Sequence, residues 1–291
     1  MSIRKIVIPV AGYGTRFLPF TKSIPKEMLP IVDRPVIQYI VEEAVAAGIE
    51  EVILITGYSK RAIEDYFDYN LELEYLLEKS GKHAQKQMIR DVSDLARFVY
   101  VRQKEQLGIG HAILQAKEVV GNEPFVVMWG DEIFQGQPSK LQQLIAAYNQ
   151  HEGTPVIHTV QKTDKGDGDR YGYIKVGKQV GDGTFKVDEL IEKPGDDNLP
   201  SPYASLGCFI LTPDIFPILE QQPPGKGGEI YLSEAINVLA QKRDVYAHEC
   251  TGLKYFDCGN KLEYLKGVVE IALEREDIGD DFRTYLKKLK L

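Results

Sequence analysis

The 291-residue chain is 43% hydrophobic and 27% charged, which supplies a sizeable core and excludes a disordered chain. Its formal net charge of −8, from 35 basic and 43 acidic residues, argues against nucleic acid as the main partner, because binding a phosphate backbone needs a basic surface. The longest apolar runs, such as Phe125–Trp129, fall far short of a membrane span, and the run Ile6–Val10 is too short for a signal peptide, so no membrane partner and a cytoplasmic location are expected. Cys208, Cys250 and Cys258 form no C-x-x-C pair, which disfavours a disulfide framework or a cysteine zinc site and leaves buried reduced thiols.

In chain order, Lys5–Val10 carries a β-branched run expected of a strand covered on both faces. Asp33 is placed to cap a helix opening at Arg34-Pro35, with an apolar stripe of Val36, Ile37, Ile40, Val41, Ala44 and Val45 and a stop at Gly48. Glu51–Thr56 is the next buried strand, and this βαβ unit implies a parallel sheet. Helices are predicted over Arg61–Phe67 and Leu71–Lys79, a strand over Arg97–Arg102 and a helix over Ile109–Val120. A strand over Phe125–Met128 runs into Gly130-Asp131, and Ser139 caps a helix over Lys140–Gln150. After Thr154 the texture becomes β-rich, with strands over Pro155–Val160, Tyr173–Val176, Phe185–Glu192 and Tyr203–Leu211 and turn signals such as Asp182-Gly183 between them. Helices return over Glu229–Lys242, Leu262–Glu276 and Phe282–Lys290. The pattern is that of one α/β domain over 1–291: a Rossmann-like open, mostly parallel sheet flanked by helices, with a β-rich lobe added by its later strands.

The first strand leads directly into Val10-Ala11-Gly12-Tyr13-Gly14-Thr15-Arg16. Glycines here let backbone N–H groups approach a phosphate chain. The dinucleotide fingerprint fails, because Phe17 stands where its third glycine belongs and Pro19, Pro25 and Pro30 keep the chain from opening into a helix. A Walker-type loop fails for want of Gly-Lys-Ser/Thr. The loop also carries Arg16, Lys22 and Lys26, a set of cations that suits a triphosphate.

Pro25-Lys26-Glu27-Met28-Leu29-Pro30, Gly108-Ile109-Gly110-His111-Ala112, Ile191-Glu192-Lys193-Pro194, Pro223-Pro224-Gly225, Gly228-Glu229-Ile230 and Asp257-Cys258-Gly259-Asn260-Lys261 follow that loop in order. On these segments the chain resembles the sugar-nucleotidyltransferase family, and within it most closely the bacterial UTP–glucose-1-phosphate uridylyltransferase branch. Ala11-Gly12 and Glu27 favour that branch over the thymidylyl one, which usually shows Gly-Gly and Gln. Trp129-Gly130-Asp131-Glu132 departs from the Leu-Pro-Asp usual in the branch.

The resemblance implies a nucleotide-diphospho-sugar transferase fold, with a nucleotide-binding half at about 1–150 and a sugar-binding half at about 151–291. It implies the reaction of UTP with α-D-glucose 1-phosphate to give UDP-glucose and diphosphate, with Mg²⁺ as cofactor and a homodimer or homotetramer as the assembly. Its site residues carry over to Arg16, Lys26 and Lys193 for catalysis, and to Ala11, Gly12, Gly14, Thr15, Arg16, Glu27, Gln103 and Gly108 for the nucleotide. Gly172, Glu192, Lys193 and Gly207 would take the sugar phosphate, and Asp131 and Asp257 the metal. His111 is expected to serve structure or to support a neighbour rather than to exchange protons. The same chemistry on dTTP or galactose 1-phosphate stays open, as does a non-catalytic nucleotide-sugar sensor.

Overall fold

The structure is a computed structural model that describes residues 2–289. Strand β1 (Lys5–Pro9) leads through the glycine loop to a small hairpin, β2 (Pro30–Ile31) and β3 (Arg34–Pro35), and then to α1 (Val36–Ala46) and β4 (Glu51–Thr56). Helices α2 (Arg61–Phe67), α3 (Leu71–Lys79) and α4 (His83–Ser93) precede β5 (Arg97–Arg102). Next come α5 (Ile109–Leu114), α6 (Lys117–Val120), β6 (Phe125–Met128), β7 (Glu132–Gln135) and α7 (Lys140–Gln150). The second half runs β8 (Val156–Gln161), β9 (Gly172–Gly181), β10 (Thr184–Glu192), β11 (Tyr203–Leu211), α8 (Ile215–Gln221) and α9 (Leu232–Lys242). It ends with β12 (Tyr246–Glu249), β13 (Lys254–Asp257), α10 (Lys261–Glu274) and α11 (Gly279–Leu286).

Among the described residues, one nine-stranded sheet crosses both halves in the order β5-β4-β1-β6-β11-β8-β12-β10-β9. Its first four strands are parallel. From β6 to β11 the direction reverses, and beyond that only β8 and β12 pair in parallel. The start of β9 also pairs with β11, so the β-rich lobe curls back on itself beside the centre of the sheet.

Alternation along each strand builds a core on each face. Ile6, Ile8, Val52, Leu54, Val126 and Met128 pack under α1, α2, α7 and α10. Val7, Ile53, Ile55, Phe125 and Val127 pack under α5, α6, α8 and α9. The parallel strands are thus apolar on both sides, as the unbroken runs in the sequence require. Their carboxyl ends all open on one edge, and the loops there build the cleft described below.

A separate two-stranded ladder matters more for that cleft than its size suggests. Strands β7 and β13 pair antiparallel with Glu132 opposite Asp257. The Cys258 N–H donates to the Asp131 carbonyl at 2.9 Å, which extends the pairing past the ladder.

Most predicted elements stand where the sequence places them, strands β7, β12 and β13 and helix α8 are additional, and further details change. Asp33 does not cap α1. Val32, at φ +62°, and Asp33 turn the β2–β3 hairpin, α1 opens only at Val36, and the Asp33 carboxylate pairs with the Arg275 guanidinium instead. The helix expected over Ile109–Val120 breaks between α5 and α6. There the Gln115 side chain turns back to the His111 carbonyl, and the next N–H, of Ala116, bonds three residues back to Ile113. Helix α4 is absent from the predicted elements; it buries no residue fully, and its partly buried Val92 packs against the core. The terminal helix starts earlier than expected, at Gly279, and Lys290 lies outside the described residues.

Ser139 does cap α7, within a full capping box: its hydroxyl accepts from the Gln142 N–H, and the Gln142 side chain accepts from the Ser139 N–H. Replacing Ser139 with Ala is expected to cost about 1 kcal/mol, a fall of roughly 2 °C in Tm for a chain of this size, measurable by thermal unfolding.

Candidate active site

The cleft has a cavity volume of about 700 Å³. Its walls come from the β1 loop, the end of β5, the β6–β7 turn, the start of β9, the end of β10 and the turn after β13. Of the residues singled out in the sequence, Ala11, Gly12, Arg16, Lys26, Glu27, Gln103, Gly108, Asp131, Gly172, Glu192, Lys193 and Asp257 all line it.

Three others stand behind the lining. Gly14, in the left-handed region at φ +64°, starts the single turn Thr15–Phe17, and a Cβ on it would lie 3.1 Å from the Lys26 Cβ. Thr15 belongs to that same turn. A Cβ on Gly207 would lie 2.3 Å from both Glu132 Oε2 and Trp129 Cδ1, so this glycine gives room to two lining side chains.

Two ion pairs dominate the floor of the cleft. Lys26 Nζ sits 2.6 Å from Asp131 Oδ2, and Arg170 Nη2 donates to Asp257 Oδ2 at 3.0 Å. Gly259 brings the two carboxylates together. Its N–H donates to Asp257 Oδ1 at 2.9 Å, and the point a Cβ would occupy lies 2.7 Å from Asp131 Oδ2 and 3.0 Å from Asp257 Oδ1. Those oxygens are therefore less than about 6 Å apart. Arg16 Nη1 lies 3.7 Å from the same point.

A pair of hard oxygen donors at this spacing fits Mg²⁺, which takes one or two carboxylates and completes its shell with water and phosphate oxygens. Among the described residues no group of three or more His, Cys, Asp or Glu side chains could cage a metal alone.

Burial works against the Lys26 charge, but the Asp131 and Glu27 carboxylates outweigh it and hold the ammonium protonated well above the usual lysine range. Burial, reinforced by the Asp131 charge, pushes the Glu132 carboxyl up to about 8.

The end of β10 resolves a geometric problem in the sequence. Neighbouring residues of a regular strand face opposite ways, yet Glu192 and Lys193 both line the cleft. The strand stops at Glu192, and Lys193 sits in the left-handed region at φ +47°, with its N–H bonded to the Tyr171 carbonyl. That twist sends both side chains to the same space.

Sequence reasoning missed several lining groups. Arg170 stands at the end of an acidic turn, and nothing local marks it as a partner of Asp257, 87 residues away. Trp129, Gln106, Tyr171 and Ser205 also line the cleft, and Gln106 Nε2 donates to the Ala11 carbonyl at 2.7 Å. Lys60, which stands behind the lining, is the least legible. It is 4% exposed, and its Nζ donates at 2.9 Å to Oε2 of Glu27, which is fully buried. Burial raises the Glu27 carboxyl above its ordinary range, against the pull of Lys60 and Lys26.

Removing one partner of a buried pair leaves the other charge uncompensated. Lys60→Met is expected to destabilise the fold by about 3–5 kcal/mol in urea unfolding, and Lys60→Met with Glu27→Gln to recover most of that loss.

The nucleotidyl transferase family matches residues 5–273. The chain is 47% identical over 290 residues to UTP–glucose-1-phosphate uridylyltransferase 2 of Staphylococcus saprophyticus, covering 100% of this chain and 99% of the relative. It is 46% identical to the Staphylococcus epidermidis UTP–glucose-1-phosphate uridylyltransferase, with the same coverage. Its structure is similar to the UTP-bound UGPase of Acinetobacter baumannii, with a TM-score of 0.91 at 39% identity, over 99% of this chain and 100% of that one. It is also similar to a UDP-glucose pyrophosphorylase complexed with UDP-glucose, with a TM-score of 0.83 at 39% identity, over 94% of this chain and 100% of that one. With a family match over nearly its whole length and a relative 47% identical over 100% of the chain, the chain belongs to the nucleotidyl transferases.

Proposed function

We propose that this chain transfers a uridylyl group from UTP to α-D-glucose 1-phosphate, giving UDP-glucose and diphosphate. One observation carries the reading: Arg16, Lys26, Arg170 and Lys193 share a single cleft with the paired carboxylates of Asp131 and Asp257. Such a set matches a polyphosphate that reacts while its charge is held. The full-length likeness to UTP–glucose-1-phosphate uridylyltransferases supplies the substrate names.

A phosphate oxygen of the sugar phosphate attacks the α-phosphorus in line. The bond from that phosphorus to the bridging oxygen breaks, and diphosphate leaves with the electron pair. The attacking phosphate is already an anion, so no side chain has to act as nucleophile, and the protein's part is positioning and charge compensation. Arg16 and Lys26 hold the triphosphate. Lys193 offsets the sugar phosphate, and Glu192 accepts from sugar hydroxyls. Gly172 keeps a side chain off the hexose side of Glu192, since a Cβ there would stand 3.2 Å from Glu192 Oε2. Ala11, Gly12, Glu27, Gln103 and Gly108 surround the nucleoside. Asp131 and Asp257 would hold Mg²⁺, which when bound supplies positive charge against the phosphate oxygens.

Diphosphate release with glucose 1-phosphate and Mg²⁺, run in parallel with UTP and dTTP, tests the reading. UTP is expected to be preferred by at least about tenfold in kcat/KM, and Asp131→Ala to lose at least about a hundredfold at saturating Mg²⁺. A preference for dTTP would keep the phosphate chemistry and overturn the base assignment. Tight UDP-glucose binding without turnover would favour a sensor.

The same reading carries a homodimer or homotetramer that acts in the cytoplasm. Among the described residues no helix is long and apolar enough to cross a membrane. Leu262 and Leu265 of α10 and Tyr285 of α11 expose apolar side chains at the C-terminal end. Static light scattering on the intact chain is expected to give two or four times its 32.8 kDa mass, and a chain ended before Gly279 to run as a monomer. A monomeric intact chain would overturn the assembly.

A further inference from the structure

Arg16, Lys26 and Lys193 each have a phosphate to hold, and Arg170 is a further cation of the same cleft. The turn that carries it is braced on both sides. The Arg170 N–H donates to the Asp167 carbonyl at 3.0 Å, and the buried Asp167 carboxylate accepts from the Asp164 N–H at 3.2 Å. The Asp196 carboxylate accepts from the N–H groups of Gly166 and Gly168, at 2.6 and 2.9 Å. The Gly195 N–H donates to the Gly168 carbonyl at 3.0 Å, and the Lys193 N–H to the Tyr171 carbonyl at 3.2 Å. The turn before β9 and the chain after β10 are thus tied into one unit, which carries Arg170, Gly172, Glu192 and Lys193.

The Arg170 side chain reaches from that unit to the carboxylates and stays 38% exposed. Nη2 donates to Asp257 Oδ2 at 3.0 Å, and Cζ lies 5.0 Å from the centroid of the buried Tyr171 ring. A guanidinium has five N–H donors, so one bond to Asp257 leaves others for a ligand.

The order of contacts decides which phosphate those donors meet. Lys26 binds Asp131, and Gly259 stands between Asp131 and Oδ1 of Asp257. Arg170 binds the other oxygen of Asp257. Lys26 and Arg170 therefore stand at opposite ends of the carboxylate pair. In a displacement at phosphorus the entering and leaving oxygens also stand in line on opposite sides. Lys26 arrives from the glycine loop, whose cations hold the triphosphate and its leaving end. Arg170 arrives with the sugar residues, at the end where the attacking phosphate enters. We propose that Arg170 is a catalytic residue that binds the phosphate of glucose 1-phosphate and, with Lys193, holds it for attack. Arg170 moves no proton; it offsets charge and fixes the attacking oxygen. After transfer the same phosphate is the sugar-linked phosphate of UDP-glucose, so the contact persists in the product. The inference rests on the uridylyl reading, which names the substrates.

The test is a split between the two substrates. In diphosphate release, Arg170→Gln is expected to raise KM for glucose 1-phosphate by at least about tenfold and to leave KM for UTP within about threefold. Calorimetric titration gives a readout without turnover: Kd for UDP-glucose is expected to rise by at least about tenfold and Kd for UTP to stay within about threefold. A role in merely holding the turn or Asp257 would move both substrates alike, and equal shifts overturn the proposal. A shift confined to UTP, or none with either substrate, overturns it as well. If Arg170→Gln does not fold, Arg170→Lys keeps the charge but loses the planar fork and carries the test. It is expected to show the same split at about threefold or more, and a variant that melts like the parent without that split overturns the proposal. A parent chain that does not turn over UTP with glucose 1-phosphate would sink the uridylyl reading itself. Normal turnover by the parent without the split in the variants would sink only this inference.

Discussion

Two carboxylates less than about 6 Å apart repel, and the cleft exists because the fold holds Asp131 and Asp257 there in spite of it. The holding is done by backbone. The β7–β13 register sets Glu132 opposite Asp257, and the hydrogen bond from Cys258 N–H to Asp131 O carries the pairing one step further. Gly259 then removes the one side chain that would stand between the two acids, and its N–H binds one of them. Lys26 and Arg170 compensate the charge, one cation for each carboxylate. Lys26 arrives from the glycine loop after β1 and Arg170 from the turn before β9, so this one constraint ties the first and second halves of the chain together.

The sequence is legible where local pattern and tertiary role coincide. Strands β1, β4, β5, β6 and β11 read off directly from their apolar residues, with β1 one residue shorter than predicted. Asp131 is legible for the same reason, since an acid just past a buried strand in an open α/β sheet sits at the ligand-binding edge. Strands β7 and β13 are four residues each, too short for alternation to rise above chance, yet they bring Asp257 to Asp131. Asp257 was therefore recoverable only from its motif. Arg170 and Lys60 carry no local signal at all. Each is defined by a partner far along the chain, and for Lys60 by a burial that an isolated lysine would not tolerate.

Glycine positions show the same division. The family resemblance assigns Gly108, Gly172 and Gly207 to ligand contact. In the structure the space beside Gly108 is filled by Glu229 and Ile230, and the space beside Gly207 by Trp129 and Glu132. Backbone approached by protein and backbone approached by ligand impose the same residue, so a glycine in a sequence cannot tell the two apart. Gly172 stands beside Glu192, which lines the cleft as do Trp129 and Glu132 beside Gly207 and Glu229 beside Gly108.

The resting charges also indicate what kind of ligand the cleft suits. An acidic protein concentrates cations there, but Lys26 is paired with Asp131 and Arg170 with Asp257. A bare polyphosphate that drew the lysine and the arginine to itself would strip two crowded carboxylates of their partners, at a cost that rises as the cleft closes off water. A ligand that brings an anion and a divalent cation together avoids that cost. In such a ligand the phosphates would take the side-chain cations and the metal the carboxylates, and every charge would exchange one partner for another. Each charged side chain then keeps an opposite partner through binding, and the sign of the whole chain places no bar on a highly charged substrate.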